Sequence, residues 1–295
     1  MHDRVLKSGT GESVQPLLPA AERYLRDWPP VQRDIAASVY ANFFRQWAPE
    51  WLTRQTAPSM EELYSLLDKA WDEAPLQDDD GLKRYYEHPV WFLNAKYEET
   101  HEASITHRCI AVRLAQKYSP RKALDRGGGY GLLLRIAHDA LPNTFFDLQD
   151  VINVETLPDE LKKSERVRVV ATPEPLYDAV WSIEVFEHLS DPLREAYDLN
   201  HILKVGGTLI TSYSFYPMIK CHLRKNFHFR HVFHRILPLL GYRLVGFDRP
   251  GITIWVFEKI HHCSEARLAL VKFAVMCCRP VLTALNVLYP ILKRG

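Results

Sequence analysis

A chain of 295 residues with 37 Lys and Arg against 36 Asp and Glu carries a formal net charge of +1, which excludes polyanion binding driven by whole-molecule charge. Its 47% hydrophobic content excludes a disordered chain and suffices for the core of one or two domains. Five cysteines without C-x-x-C spacing give no disulfide framework and fit a reduced, cytoplasmic setting.

Residues 1–20 are polar with Gly and Pro and read as a flexible arm, with no apolar run that would make a signal peptide. Residues 21–104 read as a helical cap or lid. Within them Ile35, Val39, Phe43, Phe44 and Trp47 recur at helical spacing. Ser59 and Glu62 ahead of Leu63, Leu66 and Leu67 spell a capping box. Asp78 to Gly81 reads as a charged turn. An aromatic stretch follows with Tyr85, Tyr86, Trp91 and Phe92, either the cap's own core or a clasp for a ligand. A helix over about 100–117 ends at Ser119-Pro120 and leads into a core spanning 105–260.

That core opens on Lys122-Ala123-Leu124, then Asp125-Arg126-Gly127-Gly128-Gly129-Tyr130-Gly131, then Leu132-Leu133-Leu134. The order reads strand, glycine turn, helix. Glycines allow a tight turn and let a ligand lie against bare amides at a helix N-terminus. The dinucleotide spacing G-x-G-x-x-G fails because position 132 is leucine. Asp-x-Gly-x-Gly-x-Gly is met by Asp125, Gly127, Gly129 and Gly131. About 20 residues past the first glycine, where a ribose-binding acid belongs, Thr144-Phe145-Phe146-Asp147-Leu148 reads as a second strand.

A third strand over Arg166–Ala171 precedes a fourth, Tyr177–Ile183, which Asp178 opens and Glu184-Val185-Phe186-Glu187-His188 follows. A helix from Pro192 to about Lys204 leads through Gly206-Gly207 into a fifth strand. From Leu199 to Phe247 no Asp or Glu occurs, whereas Lys204, Lys220, Arg224, Lys225, Arg230, Arg235, Arg243 and five histidines do. A last helix and a closing strand pair fill Leu239–Phe247 and Thr253–Glu258. The tail, 261–295, is apolar with spaced cations and is interrupted by Pro280 and Pro290. It reads as an amphipathic helix that packs on its own core, on a second subunit or on a membrane surface. No uninterrupted apolar stretch reaches 18 residues, so no membrane-spanning helix is expected.

Five of these segments in this order resemble the class I S-adenosylmethionine-dependent methyltransferases of the small-molecule type that carries Glu-x-x-Glu-His. The resemblance covers about 105–260 and implies an α/β fold: a Rossmann-like, seven-stranded, mostly parallel sheet with helices on both faces, here behind an N-terminal helical cap. It implies S-adenosyl-L-methionine as cofactor, with Asp125, Gly127, Gly128, Gly129 and Gly131 at its amino-acid and sulfonium end and Asp147 on its ribose. Leu148, Ser182 and Glu184 would add cofactor contacts. Many relatives carry an acid near the adenine after the third strand; here Ala171-Thr172 stands in its place.

His188, just past the fourth strand, is the candidate catalytic base. Some relatives hold a divalent ion with the same motif. Glu184, Glu187 and His188, with His228 as fourth ligand, would be the metal set here, although a metal is not expected. The expected reaction is O-methylation of a small metabolite, and the acid-free span points to a carboxylate or phosphate on it. The rival readings are a metal-assisted RNA 2′-O-methyltransferase, a non-catalytic binding protein of the same fold, and an enzyme acting on a lipid-linked acceptor. Nucleic acid is not expected as a partner, since no RNA-binding module is recognisable; homo-oligomers are left open.

Overall fold

The computed structural model describes residues 31–74, 79–151, 154–249 and 251–292. The arm expected over 1–20 and the start of the cap lie outside the described residues. Seven strands form one sheet: β1 Lys122–Arg126, β2 Phe145–Gln149, β3 Val167–Val169, β4 Tyr177–Ile183, β5 Leu203–Ser212, β6 Tyr242–Asp248 and β7 Ile254–Lys259. Their order is β3-β2-β1-β4-β5-β7-β6, with β7 antiparallel to both neighbours and the other pairs parallel. Chain order reverses between β1 and β4, where open α/β sheets form their ligand crevice.

Sequence explains why β4 is central. Its seven residues are nearly all buried, as expected of a strand covered on both faces. The Asp178 carboxylate accepts the Arg121 and Lys122 N–H groups at 3.0 and 2.9 Å and pairs with Lys204 Nζ at 2.6 Å, tying β4 to the starts of β1 and β5. The Trp181 indole donates to the Ala111 carbonyl at 3.3 Å, pinning the Glu102–Gln116 helix to the sheet.

The cap contains helices Val31–Ala37, Ala41–Trp47, Met60–Glu73, Asp79–Tyr86 and Val90–Thr100. The helical periodicity over 35–47 is broken by a turn at 38–40, which leaves Val39 exposed while Ile35 and Phe44 are fully buried. The capping box forms: Glu62 N–H donates to Ser59 Oγ and Ser59 N–H to Glu62 Oε2 at 2.8 Å. The expected charged turn is instead the start of the Asp79–Tyr86 helix; Asp78 lies outside the described residues. Tyr85 and Phe92 fill the cap core. Tyr130 of the glycine loop enters the same core, edge-on to Phe92 at 5.4 Å, so the cap grips the loop directly.

The tail departs from expectation. One helix runs Glu265–Leu292 through both prolines, and its length and apolar composition would suffice to cross a membrane. Neither proline stops it. Pro280 removes one backbone donor, a local cost that the remaining hydrogen bonds of a 28-residue helix tolerate.

Candidate functional site

A cavity of about 1000 Å³ lies between the cap and the C-terminal ends of β1, β2 and β4. Its floor is the glycine loop. Gly127, Gly129 and Gly131 have φ of +70°, +52° and +83°, a left-handed region costly to other residues. A Cβ on Gly127 would sit 2.6 Å from Val185 Cγ2, and one on Gly128 2.4 Å from Asp125 Oδ2, so the loop presses against its neighbours as bare backbone. Gly127, Gly128 and Gly129 line the cavity. Gly131 does not; it is the left-handed N-cap of the Leu132–Ala140 helix, packed toward Leu161.

Asp125 closes β1 beneath the loop. It is buried, its Oδ2 has no hydrogen-bond partner, and desolvation pushes its carboxyl up to about 7. Across the cavity stands the Arg108 guanidinium, which pulls Asp125 back toward ionisation and donates to Glu98 Oε2 at 2.6 Å.

The ribose acid is corrected. Asp147 lies off the cavity wall because its carboxylate is already engaged. Arg168 holds both oxygens at 2.8 and 2.9 Å, and the Tyr177 hydroxyl donates to Oδ2 at 2.5 Å. Burial pulls its pKa up, but these donors together outweigh that and hold it below the usual carboxylate range. The acid on the wall is Asp150, one residue past β2, which accepts the Gly129 N–H at 2.7 Å; Gln149 lies beside it. Leu148 and Ser182 are wholly buried and also lie off the wall. Ala171, at the expected adenine edge, does line it.

The end of β4 carries the densest chemistry. Glu184 adopts φ +54°, a strained conformation for a residue with a side chain. Its Oε2 accepts the Ser214 hydroxyl at 2.6 Å, while Oε1 has no partner. Glu187 is fully buried, accepts the Ser214 N–H at 3.0 Å through Oε1, and leaves Oε2 without a partner. Burial raises both carboxyls, Glu187 well above its ordinary value because Glu184 adds like charge beside it.

His188 and His222 stack edge to face at 4.9 Å. Nδ1 of His188 lies 3.3 Å from the Cys221 carbonyl and Nδ1 of His222 2.9 Å from the Tyr216 carbonyl. A carbonyl only accepts, so each Nδ1 carries the proton, which leaves Nε2 of His188 unprotonated; the Ser214 carbonyl also bears on the His222 ring. Desolvation keeps both imidazoles neutral, taking His188 down to about 3. Tyr86 and Trp91 from the cap pack edge-on to His188.

Glu187, His188 and His222 bring one ligand atom each within 4.8 Å of one another, a carboxylate–imidazole set able to hold a divalent ion. The fourth ligand is therefore corrected as well. His228 is packed against Phe229 at 4.1 Å and lies off the cavity, because the Arg224–Phe229 turn buries it beside the C-terminal helix. Five histidines in the acid-free span gave no way to choose among them; His222 is selected by the fold.

The anionic-acceptor expectation loses its basis. None of Lys204, Lys220, Arg224, Lys225, Arg230, Arg235 and Arg243 lines the cavity. Lys220 pairs with Asp72 of the cap at 2.5 Å, and Lys204 and Arg243 pair within the sheet. The lining instead holds Glu87 and Glu98 paired with Lys83 and Arg108, Arg126 paired with Glu195, Asp150, and the buried Asp125, Glu184 and Glu187, whose carboxyls burial raises, so among the described residues it offers no free cation for an anionic acceptor. Aromatic rings of Tyr64, Tyr86, Trp91, Tyr97 and Tyr216 complete the cap side.

A family model described as "Methyltransferase domain" matches residues 103–264, more than half of the chain. No curated protein sequence matches it. Solved structures of similar fold include human N-acetylserotonin methyltransferase in complex with SAM, at 15% identity and TM-score 0.47, covering 68% of this chain and 67% of that one. The N-methyltransferase NodS from Bradyrhizobium japonicum WM9 with S-adenosyl-L-homocysteine aligns at 15% identity and TM-score 0.47, covering 68% of this chain and 99% of that one. A putative O-methyltransferase from Nostoc punctiforme aligns at 17% identity and TM-score 0.46, covering 67% and 68%.

Proposed function

Since this chain belongs to the methyltransferase family and is an S-adenosylmethionine-dependent enzyme, we propose that it methylates a hydroxyl on a small, ring-bearing acceptor held between the glycine loop and the cap. The acceptor is uncharged. The observation that carries this reading is the neutral His188–His222 pair on the wall of an aromatic cavity.

The residues present fit the cofactor. An ammonium group suits the unpartnered Asp125 oxygen, and a carboxylate suits the Arg108 guanidinium. Backbone of the glycine loop would lie against the amino-acid end, with Gln149 and Asp150 next to the ribose. When bound, the cofactor supplies an electrophilic methyl on a sulfonium, and the protein then chiefly aligns the acceptor. Tyr86 and Trp91 would hold the acceptor ring and exclude water, while a bare imidazole nitrogen takes the hydroxyl proton.

The test is a panel of phenols, catechols, primary amines and carboxylic acids offered with S-adenosylmethionine, with product mass read by spectrometry. Methylated hydroxyl compounds are expected. Turnover confined to amines or to carboxylic acids overturns the proposal, and no S-adenosylhomocysteine binding by calorimetry overturns its premise.

A further inference from the structure

The C-terminal helix is docked by one face and bare on the other. Leu268, Val271, Val275, Leu282 and Asn286 recur at three-, four- and seven-residue steps and are buried or half-buried. Along that side Lys272 pairs with Asp191, Arg279 donates to the Lys225 carbonyl at 3.2 Å, and Asn286 donates to the Phe227 carbonyl at 2.6 Å. The same spacing places Leu270, Phe273, Cys277, Val281 and Ala284 together on the opposite side, all exposed. Leu270, Phe273 and Val281 are 67, 60 and 64% exposed, and these five positions include no charged residue. Amphipathicity is thus inverted: the solvent side is the more apolar one. The charges of the helix sit on its docked side or in its first turn.

A second observation bears on what covers this face. The Arg224–Phe229 turn, against which the helix docks, exposes Arg224 and Lys225, followed by exposed Arg230. These are cations of the acid-free span that the cavity leaves unused. The turn on which the helix docks therefore carries exposed positive charge, with no acid in the flanking segment.

We propose that the outward face of this helix inserts into the interfacial layer of an anionic phospholipid bilayer, with the docked face kept on the core. Apolar side chains enter the acyl boundary while Arg224, Lys225 and Arg230 meet lipid phosphates, the division an interfacial helix uses. A second copy of the chain is the other occupant of such a face, and the oligomeric state distinguishes it from lipid.

The full chain is floated with phosphatidylcholine vesicles, with and without phosphatidylglycerol, and its oligomeric state is measured by light scattering. Binding to the anionic vesicles is expected. The exposed-face variant L270E/F273E/V281E should bind at least about tenfold more weakly, and R224A/K225A should lose about fivefold per cation, both with unchanged S-adenosylhomocysteine affinity. An environment-sensitive fluorophore on the exposed Cys277 and Cys278 of the otherwise unaltered chain should blue-shift on the same vesicles. No flotation and no spectral shift overturns the proposal. So does a dimer that the triple variant splits without any lipid binding.

Discussion

The two walls of the cavity are built from different material. The core wall is largely backbone: left-handed Gly127 and Gly129 with Gly128 between them, a strand-end acid beneath them and Asp150 holding the Gly129 N–H. The cap wall is side chains, with Tyr64, Tyr86 and Trp91 brought from separate helices. Backbone geometry can be written into a few consecutive letters. A side-chain wall exists only after helices far apart in sequence have packed. The first wall therefore suits a ligand common to a whole family, and the second an acceptor particular to this chain.

His188 stands where the walls meet, so its replacement should produce the largest split between binding and turnover. His188→Gln is expected to lower kcat by about 10²–10⁴-fold and to leave S-adenosylhomocysteine affinity unchanged by calorimetry. A parallel loss of affinity would place the residue on the cofactor side and erase the division.

The two acids of the second strand sharpen the core wall. Asp150→Ala should weaken S-adenosylhomocysteine binding by about 10–100-fold, the size of a lost charge-assisted hydrogen bond. Asp147→Asn should leave that affinity unchanged while lowering unfolding stability by about 1–3 kcal/mol, because the buried Tyr177 hydroxyl and Arg168 are left to share one uncharged oxygen in place of two charged ones. The reverse pattern would restore Asp147 as the ribose acid.

A further effect is a pH slope. The folded protein holds Asp125 up at about 7, against about 3.9 in an unfolded chain. A raised carboxyl contributes stability that is full below the unfolded value and is lost as pH rises toward 7. Between pH 4 and 7 the melting temperature of the ligand-free protein should therefore fall more steeply than that of Asp125→Asn. Cofactor affinity should strengthen as pH rises through 7, when the ionised carboxylate can meet an ammonium group. Equal slopes in the two proteins would show that Asp125 is not the buried acid that titrates.

Much of the fold was legible because its signals are local. A glycine turn between two apolar runs, Asp178 opening a buried strand, and Ser59 with Glu62 all state geometry within a few residues. Asp147 misled for an instructive reason. It has the right type and distance from the glycines, but its occupancy is decided by Arg168 and Tyr177, which lie on other strands. Likewise, no pattern distinguishes His222 from His228; one faces His188 and the other is buried under the C-terminal helix.

By itself the sequence determined the α/β core, its order of strands and turns, and the glycine cradle, because these follow from residue type and short spacing. Only the tertiary structure decided which acid and which histidines reach the cavity, that the acid-free span's cations turn away from it, and that the last helix runs through two prolines with its apolar side outward. Those outcomes depend on long-range packing, where the partner that satisfies a charge or covers a ring lies tens of residues away.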